Sequence, residues 1–170
     1  MEKSIASLYQ VLHQLTGQHR QLLETVRVEK DALLRADLSS VQTATVAKQK
    51  LLEGVQQNES VRQKITAELA MAWKIPYRDL NLPRVVIEIQ GRDPKAAEQL
   101  RSIYNALTIL IQRISTQNSE NRIFIENSLQ HIHQMKKNIL GESNPNTGTY
   151  TQTGQKLNAP SSPRLISKEA

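Results

Sequence analysis

The sequence predicts an all-α fold, an elongated antiparallel helical bundle or coiled coil of three long helices, with a short connecting helix and a disordered C-terminal tail. None of the six prolines precedes Pro76, and none lies between Pro94 and Pro145. Because proline in a helix interior costs about 3 kcal/mol, both stretches can hold long helices. Apolar residues recur in both at the 3–4 spacing of one helix face. With 38% hydrophobic and 4% aromatic residues, the chain is poorly suited to a thick globule packed around rings.

The first predicted helix covers residues 2–35 and carries a heptad pattern, in which the a and d positions are apolar. His19 and Glu29 interrupt the apolar series. We interpret these two polar residues as setting the register of the helix. The a and d positions are Ile5, Leu8, Leu12, Leu15, His19, Leu22, Val26, Glu29 and Leu33.

A second helix is predicted over residues 38–72, with Asp37 as its N-cap and a tight junction that makes residues 2–72 an antiparallel hairpin. Its apolar series is weaker, and Gly54 lies inside it. The series comprises Leu38, Val41, Leu51, Leu52, Val55, Val61, Ile65 and Leu69.

Residues 73–93 contain Pro76, Pro83 and Gly91 and form the predicted linker. A structureless loop of this length is unusual in a compact domain, so we expect a short element over residues 83–89. Its Val and Ile residues favour a strand, but a single strand would have no partner here. A short helix with Pro83 in its first turn is therefore the prediction.

Asp93 and Pro94 form a clear helix start, an N-cap followed by proline in the first turn. The third helix is predicted over residues 94–140, ending at Gly141, with Lys136 and Lys137 in its last turns. Residues 1–140 thus form the helical bundle, and the polar residues 141–170 a flexible tail. The heptad positions of this helix are Ala97, Leu100, Tyr104, Leu107, Ile111, Ile114, Asn118, Asn121, Ile125, Ser128, Ile132, Met135 and Ile139.

The third helix is predicted to be longer than the hairpin. At a rise of 1.5 Å per residue the three helices span about 50, 54 and 70 Å, so the third extends about 15–20 Å farther. Its apolar C-terminal part needs a partner, either a second copy in a homodimer or another protein's helix. Alternatively, this part bends back onto the hairpin, or the short helix covers it. The apolar residues concerned are Ile123, Phe124, Ile125, Leu129, Ile132, Met135, Ile139 and Leu140.

The residue types for catalysis or metal binding are absent or badly spaced. The chain has no cysteine, which excludes disulfides, a thiolate nucleophile and thiolate metal sites. His131 and His133 lie about 200° apart on a helix and cannot share a metal. We find no nucleophile–base pair and no glycine-rich phosphate loop, and we expect no enzyme activity, no metal and no cofactor.

Charge and hydropathy exclude further classes of partner. The net charge of +6 is spread along the chain rather than gathered on one face, so we expect no nucleic-acid binding. Residues 1–20 lack the apolar core of a signal peptide. The longest apolar runs fall far short of the roughly 20 residues that span a bilayer. We expect a soluble cytoplasmic protein that does not insert into membranes.

The segment from Asn118 to Ile132 resembles the characteristic segment of the FlgN family, whose form is Asn-x-x-Asn-x-x-Leu-x-x-x-Ser-Leu. Phe124 and Ile125 stand near the usual Leu position. A Tyr-x-x-x-Gly motif follows in the family's tail, and Tyr150 to Gly154 is similar to it. The family consists of flagellar type III export chaperones for hook–filament junction proteins.

The resemblance implies a cytosolic chaperone that binds the C-terminal helical segments of FlgK/FlgL-like junction proteins, prevents their premature assembly and delivers them to the cytosolic domain of the export gate protein FlhA. It implies a polar core at the motif residues and gate docking through Tyr150 and Gly154. The alternatives are a generic coiled-coil adaptor or scaffold and a nucleic-acid-associated basic bundle. The implied polar core is Asn118, Asn121, Asn127 and Ser128, and the implied cargo residues are Ile123, Phe124, Ile125, Leu129, Ile132, Met135 and Ile139.

Overall fold

The computed structural model describes residues 2–140 and confirms the all-α fold over that range. Helix α1 comprises Glu2–Leu34, α2 Leu38–Trp73, α3 Leu82–Gln90 and α4 Pro94–Ile139, with one 3₁₀ turn at Tyr77–Asp79. The predicted tail, residues 141–170, lies outside the described residues. The chain divides into two compact units, Met1–Asn121 and Arg122–Ala170.

A tight turn joins α1 to α2 in the first unit. The amide of Asp37 donates to the carbonyl of Ala32 at 3.0 Å, and that of Ala36 donates to Leu33 at 3.1 Å. Ala36 adopts the left-handed conformation with φ 54°, and together these bonds form a Schellman C-cap. The Asp37 side chain then accepts a 3.1 Å bond from the Ser40 amide and caps α2, as the sequence predicts.

Helix α2 runs antiparallel to α1 and continues through Gly54. A Cβ at Gly54 would lie 2.8 Å from Nε2 of Gln18 in α1, so the glycine makes room for that side chain. Asn58, one turn farther along α2, donates to Oε1 of Gln18 at 3.0 Å. The apolar series predicted for α2 is wrong at three positions, because their side chains are exposed rather than buried: Leu38, Leu52 and Val61.

The linker holds the predicted short helix, which is confirmed as α3. Asn81 caps it by accepting a 2.9 Å bond from the amide of Arg84, and Pro83 stands in the first turn. Val85, Val86 and Ile89 are buried in the main core. The apolar side of α3 is therefore used inside the first unit.

The core of the first unit is formed by α1, α2, α3 and the first half of α4. The main cluster includes Leu12 of α1, Leu69 of α2, Val85 of α3 and Leu100 of α4. Farther along α1 and α4, a smaller cluster joins Leu22, Leu23, Val26 and Ile114. Early residues of α1 contact early residues of α4, so the first half of α4 runs parallel to α1. Helix α2 runs antiparallel to both.

The heptad register predicted for α4 is wrong at two positions. Ile111 is 49% exposed and Tyr104 is only half-buried, whereas Ile103 is buried and Leu110 packs against the smaller cluster. Each pair consists of adjacent apolar residues, so the sequence offers either member to the core. Periodicity alone cannot choose between them.

Candidate functional site

In the second unit, the C-terminal part of α4 carries a row of exposed apolar side chains. The exposed fraction rises along the row from 39% at Phe124 to 77% at Ile139. At about 100° per residue, the row occupies an arc of about 140° on the helix, the width of a helix face that normally packs against another element. We call these residues the apolar face: Phe124, Ile125, Leu129, Ile132, Met135 and Ile139.

Ile123 does not belong to this face, although the sequence places it among the cargo residues. It precedes Ile132 by nine residues, which corresponds to about 180° of helix rotation. Ile123 is 53% exposed, so it is an apolar residue on the opposite side of the same helix. A single helix docked on the apolar face would not reach it.

A shallow groove of about 390 Å³ marks the C-terminal half of the apolar face. Its lining is almost wholly apolar, and one charged residue, Lys136, takes part in it. The neighbouring Lys137 does not line the groove. The groove is formed by Ile132, Met135, Lys136, Ile139 and Leu140.

Polar residues near the apolar face are satisfied within the helix. The Ser128 hydroxyl donates to the backbone carbonyl of Phe124 at 2.8 Å, so it needs no outside partner. Arg122 donates from Nε to the Glu126 carboxylate at 2.8 Å, and this bond raises the pKa of Arg122 above its ordinary value. Asn127 is exposed.

A buried polar layer lies in the first unit, around Asn121. This side chain is 3% exposed and donates 3.1 Å hydrogen bonds to the carbonyl of Val26 and to Oε2 of Glu29. Lys48 of α2 donates to both carboxylate oxygens of Glu29, at 2.6 and 2.7 Å. Three helices are thus joined by one network in which the buried charge is paired and bonded.

The structure does not gather the four motif residues into one core. Asn121 is buried and Asn118 half-buried in the first unit, whereas Asn127 and Ser128 belong to the second. Sequence reasoning singled out Glu29 and Asn121 as polar residues in apolar stripes but missed Lys48. The available signal was a carboxylate at a core position, which requires a cation on a facing helix.

A cleft of about 560 Å³ lies in the first unit. Three acidic residues line it, and two of them, Glu88 and Asp93, already have structural roles, whereas the third is Glu2. Glu88 forms an ion pair with Arg84 at 2.7 Å, and Asp93 accepts from the Ala96 amide at 2.9 Å, as the cap of α4. Among the described residues, no Ser, Thr, Cys or His side chain lines the cleft, so Glu2 has none of these nucleophiles beside it.

Two further findings concern residues 2–140 as a whole. No cluster of His, Asp and Glu in this range has the arrangement of a metal site. None of its helices combines the length and hydropathy that a bilayer span requires. Tyr150 and Gly154, the expected gate-docking residues, lie outside the described residues.

Comparison with known proteins identifies the family. The FlgN family, described as FlgN protein, matches residues 1–158. No curated protein matches the chain, and no solved structure matches it. Because the family match covers most of the 170 residues, the chain belongs to the FlgN family, a family of flagellar export chaperones rather than of enzymes.

Proposed function

We propose that this chain is a cytoplasmic chaperone for the C-terminal helical segments of FlgK/FlgL-like hook–filament junction proteins. It holds these segments before secretion, prevents their premature assembly and delivers them to the cytosolic domain of FlhA. The observation that carries the proposal is the exposed apolar face of α4 in a member of the FlgN family.

The geometry of the apolar face suits an amphipathic helix as the bound segment. Ile125, Leu129, Ile132 and Ile139 follow one another at spacings of four, three and seven residues, the spacing of anchors in helix-in-groove complexes. Each anchor exposes about half or more of its surface except Ile125, at 40%. Burial of this apolar area supplies the binding free energy, at about 25 cal/mol per Å² before the costs of association.

A chaperone of this kind also protects its client. The unassembled client segment is an apolar helix face without its filament neighbours, and such surfaces aggregate. Covering it with the apolar face of α4 removes both apolar surfaces from water. The same contact blocks assembly until the client is released at the export gate.

The proposal is tested by binding of purified full-length chain to the C-terminal segment of a FlgK/FlgL-like protein, measured by calorimetry. A heptad peptide of equal length with no flagellar origin serves as the matched control. Selective binding of the junction segment supports the chaperone, whereas equal affinities for both peptides support a generic coiled-coil adaptor. Binding to duplex DNA that weakens steeply with salt, in the absence of junction binding, would favour the basic-bundle alternative.

A further inference from the structure

Within residues 122–140, charge is distributed unevenly around the apolar face. The segment contains three cationic residues, Arg122, Lys136 and Lys137, and one acidic residue, Glu126. Glu126 is already bonded to Arg122 at 2.8 Å. The two lysines have no ion pair with any residue that the structure describes.

The two adjacent lysines differ in position. Lys136 lines the groove together with Ile132, Met135 and Ile139, whereas Lys137 lies about 100° farther around the helix. Because the lining is almost wholly apolar, Lys136 contributes its aliphatic stem and keeps its ammonium at the rim of the groove. A helix docked in the groove would therefore pass beside the ammonium of Lys136 and lie farther from that of Lys137. A cation at the rim attracts an anion and repels a cation on the edge of the bound helix, so an acidic residue at this position favours binding.

We infer that the helix held by the apolar face is acidic along one edge and places a carboxylate on the Lys136 ammonium. This inference rests on the proposed function and specifies which client segments the face selects. A segment with Asp or Glu at the matching position forms a charge-assisted hydrogen bond with Lys136 at the rim of the groove. A segment with Lys or Arg there is rejected by like charge, which gives specificity among apolar helices that would otherwise bind alike.

The same charges disfavour a second copy of the chain as the occupant. A second copy would bring another Lys136 and Lys137 with a single carboxylate, Glu126, which Arg122 already engages. An acidic client segment has no such conflict. The cations of the face thus point to a partner of opposite charge rather than to self-association.

The test compares Lys136→Glu with Lys137→Glu in the full-length chain, because the two variants change the net charge equally. The probes are the junction-protein C-terminal segment and two synthetic amphipathic helical peptides with the same apolar heptads, one edged with Glu and the other with Lys. Affinity is measured by fluorescence anisotropy at low and high salt, and oligomeric state by sedimentation. Circular dichroism checks that both variants fold.

We expect Lys136→Glu to lower the affinity for the Glu-edged peptide and for the junction segment by about tenfold or more. Lys137→Glu should lower these affinities by less than about threefold. Lys136→Glu should strengthen binding of the Lys-edged peptide. Equal effects of the two substitutions, or a wild-type preference for the Lys-edged peptide, overturn the inference even where the junction segment binds. Dimerisation through the face that blocks peptide binding overturns it as well. If the wild-type chain prefers the Glu-edged peptide but ignores the junction segment, the inference stands and the proposed function fails.

Discussion

The side-chain amide of Asn121 in α4 donates a hydrogen bond to the backbone carbonyl of Val26 in α1, at 3.1 Å. The same amide also reaches Glu29, at 3.1 Å, which Lys48 of α2 neutralises. An apolar residue at position 121 could pack at several rotations of α4, whereas Asn121 makes its two hydrogen bonds at only one rotation. We infer that this layer sets the rotation of α4 against the hairpin.

Lys48→Met should lower the free energy of unfolding by about 2 kcal/mol, because it leaves the carboxylate of Glu29 buried without its cation. Lys50→Met removes the same charge from an exposed position two residues away and should have little effect. Urea unfolding followed by circular dichroism measures both. The double variant Glu29→Met with Lys48→Met should be more stable than Lys48→Met alone; a double variant that is less stable contradicts the paired charge as the cause.

Single substitutions in the apolar face should weaken client binding without melting the fold. Phe124→Ala, Leu129→Ala and Ile132→Ala should each reduce the affinity for the junction segment by about tenfold or more. Ile123→Ala removes an equally exposed isoleucine from the opposite side of the helix and should leave the affinity unchanged. Calorimetry gives the affinities.

A substitution in the core should show the opposite behaviour. Leu12 is fully buried, so Leu12→Ala should lower the free energy of unfolding by about 2–5 kcal/mol and affect binding only through unfolding. If Ile132→Ala melts the protein while the affinity per folded molecule stays constant, the apolar face is ordinary core. The client site would then lie elsewhere.

Ala36→Gly should raise the stability of the hairpin. Ala36 has φ 54°, a left-handed conformation that glycine adopts without the Cβ penalty. We expect the free energy of unfolding to rise by about 0.5–1 kcal/mol, a net value that includes the opposing effect of the larger chain entropy of glycine in the unfolded state. Ala47→Gly, at an exposed position inside α2, should lower stability by about 1 kcal/mol. Thermal unfolding of both variants tests whether one gains and the other loses stability. A loss of stability in Ala36→Gly would contradict the assignment of strain to this turn.

Acid should weaken the contribution that Glu59 makes to folding stability. The hydrogen bond from Arg62 holds the pKa of Glu59 below its ordinary value. A carboxyl whose pKa is lower in the folded state stabilises the fold above the ordinary pKa of about 4.3, and loses this contribution as pH falls through the lower folded-state value. The stability difference between the wild type and Glu59→Gln should therefore be largest at neutral pH and shrink below about pH 4. Glu53→Gln, at an exposed carboxylate without an ion pair in residues 2–140, is the control; a difference that grows in acid contradicts the assignment.

Tyr150→Ala should weaken binding of the client-loaded chaperone to the cytosolic domain of FlhA while leaving the melting temperature unchanged. Tyr150 is the only aromatic residue in positions 141–170, and its ring combines an apolar body with a polar tip. Tyr150→Phe keeps the ring and separates its contribution from that of the hydroxyl. Surface plasmon resonance on immobilised FlhA measures the effect, and unchanged binding in Tyr150→Ala counts against the docking role.

The helices could be predicted from the sequence because their ends carry strong local signals. Asp37 and Asp93 cap helices through their side chains, Pro83 lies in the first turn of α3, and proline is absent from the long helix interiors. Packing against neighbours was harder to predict. Ile103 and Tyr104 are adjacent apolar residues, and only the position of the hairpin decides that Ile103 is buried.

The candidate site shows the same limit. The apolar residues of the face follow from heptad spacing, and the rotation of about 100° per residue already separates Ile123 from Ile125, but the two lysines are harder to distinguish. Lys136 and Lys137 look equivalent as a basic pair in the sequence. Their difference arises from side-chain placement, which puts one of them in the groove.

The junction between α1 and α2 also constrains how this chain can vary in length. Asp37 completes the C-cap of α1 through its backbone amide and caps the start of α2 through its side chain. The two helices are therefore joined without any additional loop residue. One inserted residue at this point would rotate α2 by about 100° about its axis and turn Lys48 away from Glu29. Relatives that keep this pair of charges should therefore carry no insertion or deletion at the turn, whereas gaps in residues 74–81 would leave both long helices in register.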